Sequence, residues 1–549
     1  MKNLLMLLEG LASLQYGILP ILLILSFSNR KMNKLLKIKL MSLKLLFSLA
    51  FLTILVSCEY EFPEPAVVNE PTSNQADFSN LIVIGSSNLA GYMDGALYND
   101  GESNSVGSLL AKQFYIVSKK PFKAPAIDSR YGFNTFVTPN EDNRGRYELW
   151  FNSRNASTPD RLSVPGQPIS PFEGSLSEVQ NLSIPGFRLV HFNQTGSFEM
   201  PLAKRFGQQL NSKSLVNYAN DQNPSFYVID PGIDDILGYA LTGGSGTLNP
   251  TGTALDYQMN DATSVSLFAN ELMAIVNNLG LAGLTSSKNA IIANVPDITD
   301  FPYFHASFYD ITPFINNSQL QRNRTYVAEF NAILLQYNNQ PNLPENRKRP
   351  FLDLAEDRRG NWGIVIIDPD LEPVVNFRAR IAGRDTLVTL PSVRHMIPNE
   401  LLMFDVRELL GIGDYGLPLN PVPNNQSLTI KQITNIKQRI EEYNQIIKFV
   451  VDSQNNLSLA NIYSESKKLH VGRNRSLRAS PPGILIEGLA FIPNTVEYGA
   501  FSADGIHFNP RGNAWYANII LKSINDHFNG NLSTLKTNTF RGNFFENNF

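Results

Sequence analysis

The stretch Leu81-Ile82-Val83-Ile84-Gly85-Ser86-Ser87-Asn88 decides how the chain reads. An unbroken run of branched apolar residues of strand length marks a strand covered on both faces, since alternate side chains then all meet apolar neighbours. The glycine and the polar residues after it mark where the backbone leaves the sheet. Ser225-Phe226-Tyr227-Val228-Ile229 repeats the pattern and ends in Asp-Pro-Gly. Ala290-Ile291-Ile292-Ala293 repeats it again and ends in Asn-Val-Pro-Asp. Helical patterns fall between and after these runs, at residues 105–114, 266–279 (stopped by Gly280), 428–451 and 512–528. In the last of them Ala517, Leu521, Ile524 and Phe528 share one face. Alternation of strands with helices predicts an α/β fold around a parallel sheet. Ligands of such sheets sit beyond the carboxyl ends of the strands, where Gly85-Ser86-Ser87 and Asp230-Pro231-Gly232 lie.

Composition narrows the function. The chain has 549 residues, with 46 Lys+Arg against 49 Asp+Glu, so it lacks the basic excess of a nucleic-acid binder. Hydrophobic residues at 43% are ample for a large core. Charged residues at 17% fall below the usual share of about 25%, a bias of exported, loop-rich proteins. The single cysteine, Cys58, excludes an intrachain disulfide framework or a cysteine-built metal cluster. No two of the six histidines stand at the spacing of a zinc-hydrolase motif, so neither a metal nor any other cofactor is expected.

That cysteine has a context. Residues 32–58 read MNKLLKIKLMSLKLLFSLAFLTILVSC: four lysines, then an apolar run at 45–56, then Leu55-Val56-Ser57-Cys58. The ending resembles a bacterial lipobox, which implies cleavage before Cys58 and acylation of its thiol. Several acyl chains on one residue anchor stably, each buried methylene contributing about 0.8 kcal/mol. A pair of membrane spans ranks second, because the run is short against the about 20 residues a span needs. The apolar stretch at 18–27 lies upstream of the leader, and Met32 or Met41 reads as the natural start. The expected organisation is a leader over 1–58, a Glu/Pro-rich tether over 59–79, a folded domain over 80–530 and a tail over 531–549. Residues 305–425 are less regular, with a helix near Tyr326–Tyr337, and read as an insertion covering part of the sheet. Glu59 and Glu61 add an acidic signal pointing to the outer membrane, with surface exposure open.

Three separated strings carry the chemistry. IGSSNLAGYMDG places Ser87 two residues past the strand-ending glycine. DPGIDD follows another strand. SADGIHFNPRGNAWYAN holds Asp504 three residues before His507, just ahead of the last helix. A serine hydroxyl is a poor nucleophile until a base takes its proton. His507 is such a base, and a carboxylate three residues earlier can hold its Nδ1–H and so fix the tautomer. Alone, a serine after a strand glycine is most often a helix cap. Asp94, likewise, reads as a capping or turn residue.

Taken together, five blocks in sequence order resemble the GDSL-type SGNH hydrolases, in a variant seen among bacterial lipoproteins. They are Gly85 through Leu97; Asn181-Leu182-Ser183-Ile184-Pro185-Gly186; Gly232 through Ala240; Asn294-Val295-Pro296-Asp297; and Asp504 to His507 with Pro510-Arg511-Gly512. The resemblance implies a flavodoxin-like three-layer fold and ester hydrolysis through an acyl-enzyme on Ser87. His507 would be the base and Asp504 its orienter. The oxyanion would be held by the N–H groups of Ser87 and Gly186 and by a side-chain amide at position 234.

Here the chain departs from the pattern. Ser86 replaces the usual Asp or Asn, Asn88 replaces Leu, and position 234 is Asp, whose ionised carboxylate accepts hydrogen bonds and cannot donate them. Either Asp234 is held protonated by burial beside Asp230 and Asp235, or it turns away. The expectation is a lipid-anchored serine esterase acting on an acyl lipid, a short-chain ester or an acetylated glycan. The alternative is a weak or inactive binding lipoprotein on the same fold.

Overall fold

Leu81–Gly85 (β1) and Phe226–Asp230 (β2) are buried at every residue, as a strand with both faces covered must be. A computed structural model describes Met41 and residues 71–545, apart from 73, 136–143, 151–159, 197, 252–255, 284–285, 306–308, 471–482 and 497–498. Cys58, the leader apart from Met41, and the tether up to residue 70 lie outside the described residues.

Asn289–Ala293 (β3) and Leu457–Ala460 (β4) complete a four-stranded parallel sheet of order β1-β2-β3-β4. The fold is α/β. Residues 180–184 run along the free edge of β1: Val83 donates to the Gln180 carbonyl at 2.9 Å, and Ile184 donates to the Gly85 carbonyl at 3.1 Å. The chain therefore steps outward from β1 to that edge and then returns past β1 to β2. Such a reversal is where open α/β sheets place their ligand sites, at the carboxyl ends of the strands.

Two groups of helices cover the sheet. Val106–Ser118 (α2) packs on Pro510–Phe528 (α7). Asp234–Leu241 (α3) and Val265–Asn278 (α4) both pack on Ile430–Asp452 (α6). The helix boundaries follow local chemistry. Ser105 caps α2 by accepting from the Ser108 N–H at 3.0 Å. Asn509 caps α7 by accepting from the Gly512 N–H at 3.0 Å, with Pro510 at the first helical position. The predicted face of α7 is its buried one: Ala517, Leu521, Ile524 and Phe528 all lie in the core.

Packing extends past both ends of the sheet region. Phe78 is buried against Phe114 at 4.5 Å and Phe226 at 5.2 Å. Near the other end, the Asn543 side chain donates to the Phe501 carbonyl at 2.8 Å. The 305–425 stretch contains a 22-residue helix, Asn317–Asn338 (α5), and a hairpin of Val374–Ile381 with Arg384–Leu390. Its Leu320, Trp362 and Ile364 belong to the same continuous core as Ile82 and Val228.

Candidate active site

Register brings the first two strings together. Gly85 lies opposite Asp230, so β1 and β2 end level and their following loops emerge side by side. From β1 the chain turns at once into the single helical turn Ser87–Ala90 (α1), closed by Gly91 in the left-handed conformation (φ 84°). A Cβ on Gly91 would sit 2.1 Å from the Gly101 carbonyl oxygen, so only glycine fits. From β2 the chain turns at Gly232 (φ 71°), where an added Cβ would meet Ser86 Cβ at 3.2 Å. Ser86 and the start of α3 thus face each other.

Asp234, the first residue of α3, fills that gap. Its Oδ2 accepts from both serines, from Ser86 Oγ and from Ser87 Oγ at 3.1 Å. Burial raises the Asp234 carboxyl above its usual range, opposed by the Ser86 hydrogen bond, the nearby His507 and the Ser87 hydrogen bond. Its neighbours do other work. Asp230 accepts from the Gly232 N–H at 2.8 Å and the Tyr516 hydroxyl at 2.8 Å. Asp235 accepts from the Leu189 N–H at 3.0 Å and the Thr263 hydroxyl at 2.5 Å. Burial pushes each of these two to about 6.

The third string is a tightly laced loop. His507 Nδ1 lies 2.9 Å from Asp504 Oδ2, while Asp504 Oδ1 accepts the N–H of Ile506 at 2.8 Å and of His507 at 2.9 Å. Against the cost of burial, the His507 charge and these hydrogen bonds hold the Asp504 carboxyl at about 2. The Ser502 N–H donates to the His507 carbonyl at 2.7 Å, and Asn509 ties the loop to the start of α7.

Chain segments about four hundred positions apart are then clasped. The Gly95 N–H donates to Asp504 Oδ2 at 2.9 Å, and Asp94 Oδ1 accepts from the Ala503 N–H at 2.7 Å. The Asp94 N–H donates to Ser502 Oγ at 2.9 Å. Asp94 is a turn residue, as the sequence suggests (φ 55°), yet its larger role is this bridge. Burial raises its carboxyl to about 6 despite hydrogen bonds from Tyr98 and Ala503. Tyr92 makes a second link: its N–H donates to the Ser87 carbonyl at 3.0 Å and its ring meets the His507 ring edge-on at 4.8 Å. Nothing in the residue types of Tyr92 or Ser502 announces these contacts.

Ser87, Asp234, Asp504 and His507 therefore share one neighbourhood. The Ser87 hydroxyl, however, is hydrogen-bonded to Asp234 and not to His507, whose Nε2 is buried without a hydrogen-bond partner. Gly186 stands two residues past the Ile184–Gly85 hydrogen bond, as Ser87 stands two past Gly85. Its φ is 85°, and a Cβ there would meet only Met200, at 3.9 Å, so its surroundings are open. The Ser87 N–H lies in the first turn of α1 and has no intrahelical acceptor.

No family model, curated protein or solved structure matches this chain. Among the described residues, no group of His, Cys, Asp and Glu is arranged to hold a metal, and no helix is long and apolar enough to cross a membrane.

Proposed function

We propose that the chain is a serine ester hydrolase of the SGNH type on a flavodoxin-like sheet. The observation that carries the reading is the Asp504–His507 pair. A carboxylate receiving four hydrogen bonds fixes Nδ1 and leaves Nε2 as the base, and the imidazole packs edge-on against the ring of Tyr92, whose backbone N–H donates to the Ser87 carbonyl.

In the proposed reaction the Ser87 hydroxyl turns from Asp234 to His507 Nε2. Its oxygen attacks the ester carbonyl, and its proton passes to the imidazole. The N–H groups of Ser87 and Gly186 take the oxyanion. His507 then protonates the leaving alcohol, and water, deprotonated by the same imidazole, releases the acid from Ser87. Asp234 joins productively only when protonated, as a donor. Its raised pKa supports that role.

The substrate class proposed is an acyl lipid, a short-chain ester or an acetylated glycan, met at a membrane to which acylated Cys58 holds the chain, in the outer membrane. The second reading, a binder without turnover, is favoured by the Ser87–Asp234 hydrogen bond. A fluorophosphonate probe separates the two. Labelling of the wild type that disappears in Ser87→Ala supports the enzyme, and an unlabelled wild type across pH 5–9 supports the binder. Anchoring is checked independently: Cys58→Ala should move the protein from the membrane to the soluble fraction, and a variant that stays with the membrane counts against the anchor.

A further inference from the structure

A cavity of about 670 Å³ lies where the 305–425 stretch meets the start of α6. Tyr309, Asp370 and residues of 350–363, 394–400 and 429–431 form its walls, and none of Ser87, Asp234, Asp504 and His507 is among them. The volume falls within the about 300–1,000 Å³ of small-ligand sites.

Three large apolar side chains on these walls stand in solvent: Phe351 is 47% exposed, Ile397 49% and Ile430 41%. Each comes from a different wall, so the fold assembles the apolar surface by convergence. Isolated exposed apolar residues are ordinary, but their concentration around one concavity is what a ligand would cover.

Charge narrows the ligand. The walls hold three cations, Arg358, Arg394 and Lys431, and three carboxylates, Asp353, Asp370 and Glu400. They are paired: Arg358 with Asp353 at 3.0 Å, Arg394 with Glu400 at 2.6 Å, and Lys431 with Asp370 at 2.5 Å. Burial holds the His395 imidazole below its usual range, so it adds no charge at neutral pH. The positive end of α6 also opens here, but Glu400 already accepts from the Ile430 N–H at 3.4 Å. Arg394 also pairs with Asp368 at 2.5 Å, so every cation here is compensated and none is left to select an anion, while Asp353, Asp370 and Glu400 are each engaged by a cation.

The solvent-facing polar atoms instead alternate in kind. Tyr309 donates to Asn361 Oδ1 at 2.9 Å, which leaves the Asn361 amide N–H groups as donors. Arg358 keeps N–H groups beyond its ion pair, and the carboxylates of Asp353 and Asp370 keep lone pairs. An acyl chain would desolvate these groups without compensation. Hydroxyl groups, each both donor and acceptor, satisfy them. A sugar ring also carries an apolar C–H face for Phe351 and Ile397.

We propose that this cavity binds an uncharged saccharide, its ring against Phe351 and Ile397 and its hydroxyls on Asn361, Arg358 and Asp353. The site is independent of the ester-hydrolase reading, because binding here uses no residue of that chemistry.

The test is calorimetric titration of the purified chain with neutral hexasaccharides of glucose, mannose, galactose and N-acetylglucosamine. At least one should bind. Phe351→Ala and Asn361→Ala, both at exposed positions, should each weaken it about tenfold or more with an unchanged melting temperature. Ser87→Ala should leave the affinity as it is. The proposal is overturned if no hexasaccharide binds or if neither wall variant alters binding. It is equally overturned if Ser87→Ala abolishes binding, or if decanoate, heparin or a neutral peptide occupies the site where the sugars do not.

Discussion

Asp504 and Asp234 stand in one buried neighbourhood and face the same imidazole, yet their pKa values move in opposite directions. Asp504 is completely buried and is held at about 2; Asp234 is only partly exposed and is raised. Desolvation is the largest cause for both, and it pushes both up. What differs is the closeness of the imidazole and the supply of donors. Asp504 receives three backbone N–H groups and the imidazole Nδ1–H, spread over both oxygens. Asp234 receives two serine hydroxyls on a single oxygen. For Asp504 the His507 charge lowers most, the Nδ1 hydrogen bond next and the backbone donors after that, so the loop that pairs Asp504 with His507 dictates which carboxylate stays ionised.

The strongest way to break this contrast is Asp504→Asn. Both Asp504 oxygens face donors, so a new amide NH₂ must confront the Gly95 N–H and the imidazole or, if flipped, two backbone N–H groups. The first orientation moves the imidazole proton to Nε2, and the second sets an amide donor against the N–H groups of Ile506 and His507 and loosens the loop that holds the base. Ester turnover should fall by about 10⁴-fold while the fluorophosphonate-reactive Ser87 remains in place. A drop of less than tenfold, measured as kcat/KM on a short-chain ester, would mean that Asp504 does not orient the base.

The opposite substitution sharpens it. Asp234→Asn exchanges an acceptor for a donor at the nucleophile and frees the Ser87 hydroxyl from a carboxylate. One oxyanion donor corresponds to about 10²–10³ in rate, so turnover should rise by up to roughly 10²-fold. Because ionised Asp234 is the unproductive form, the gain should be larger at pH 8 than at pH 5. Equal or lower activity at both pH values, with folding intact, would sink the account of Asp234 as a missing donor.

How much of this was written in the residues divides along the same line. The apolar runs of β1, β2 and β3 and the buried face of α7 are local patterns, and they appear within a residue or two of where the periodicity puts them. β4 was missed, because Leu457-Ser458-Leu459-Ala460 is short, follows a long helix and carries little periodicity. α5 starts at Asn317, nine residues before the helix read at 326–337, since its N-terminal half is polar and shows itself only by the Asn316–Gln319 capping box. The Asp504–His507 spacing is local and legible. The Ser87–Asp234 hydrogen bond is set by the pairing of Gly85 with Asp230, and the Asp94–Ala503 bond joins positions 409 apart. Sheet register and long-range loop docking leave no mark on composition or spacing.

Asp94 supplies a third carboxylate against which to test the contrast, with the smallest effect. It is buried and receives a backbone donor and a phenol, fewer than Asp504, and its carboxyl sits at about 6. A folded-state value above the unfolded one of about 3.9 means that between pH 4 and 6 the folded chain binds more protons than the unfolded chain. Stability from this group therefore declines as pH rises through that window, and the penalty is complete above about pH 7. Asp504 behaves in the reverse sense: its contribution is present above about pH 4 and fades as pH falls toward 2. Asp94→Asn retains an acceptor for the Ala503 N–H, and the Tyr98 hydroxyl can turn to accept from the new amide. The wild type should gain stability on going from pH 8 to pH 5 relative to this variant, by about 1–3 kcal/mol, read from denaturation midpoints at the two pH values. Parallel pH profiles for the two proteins would show that Asp94 is as well supplied with donors as Asp504, and the donor-count account of the site would then fail at its third carboxylate.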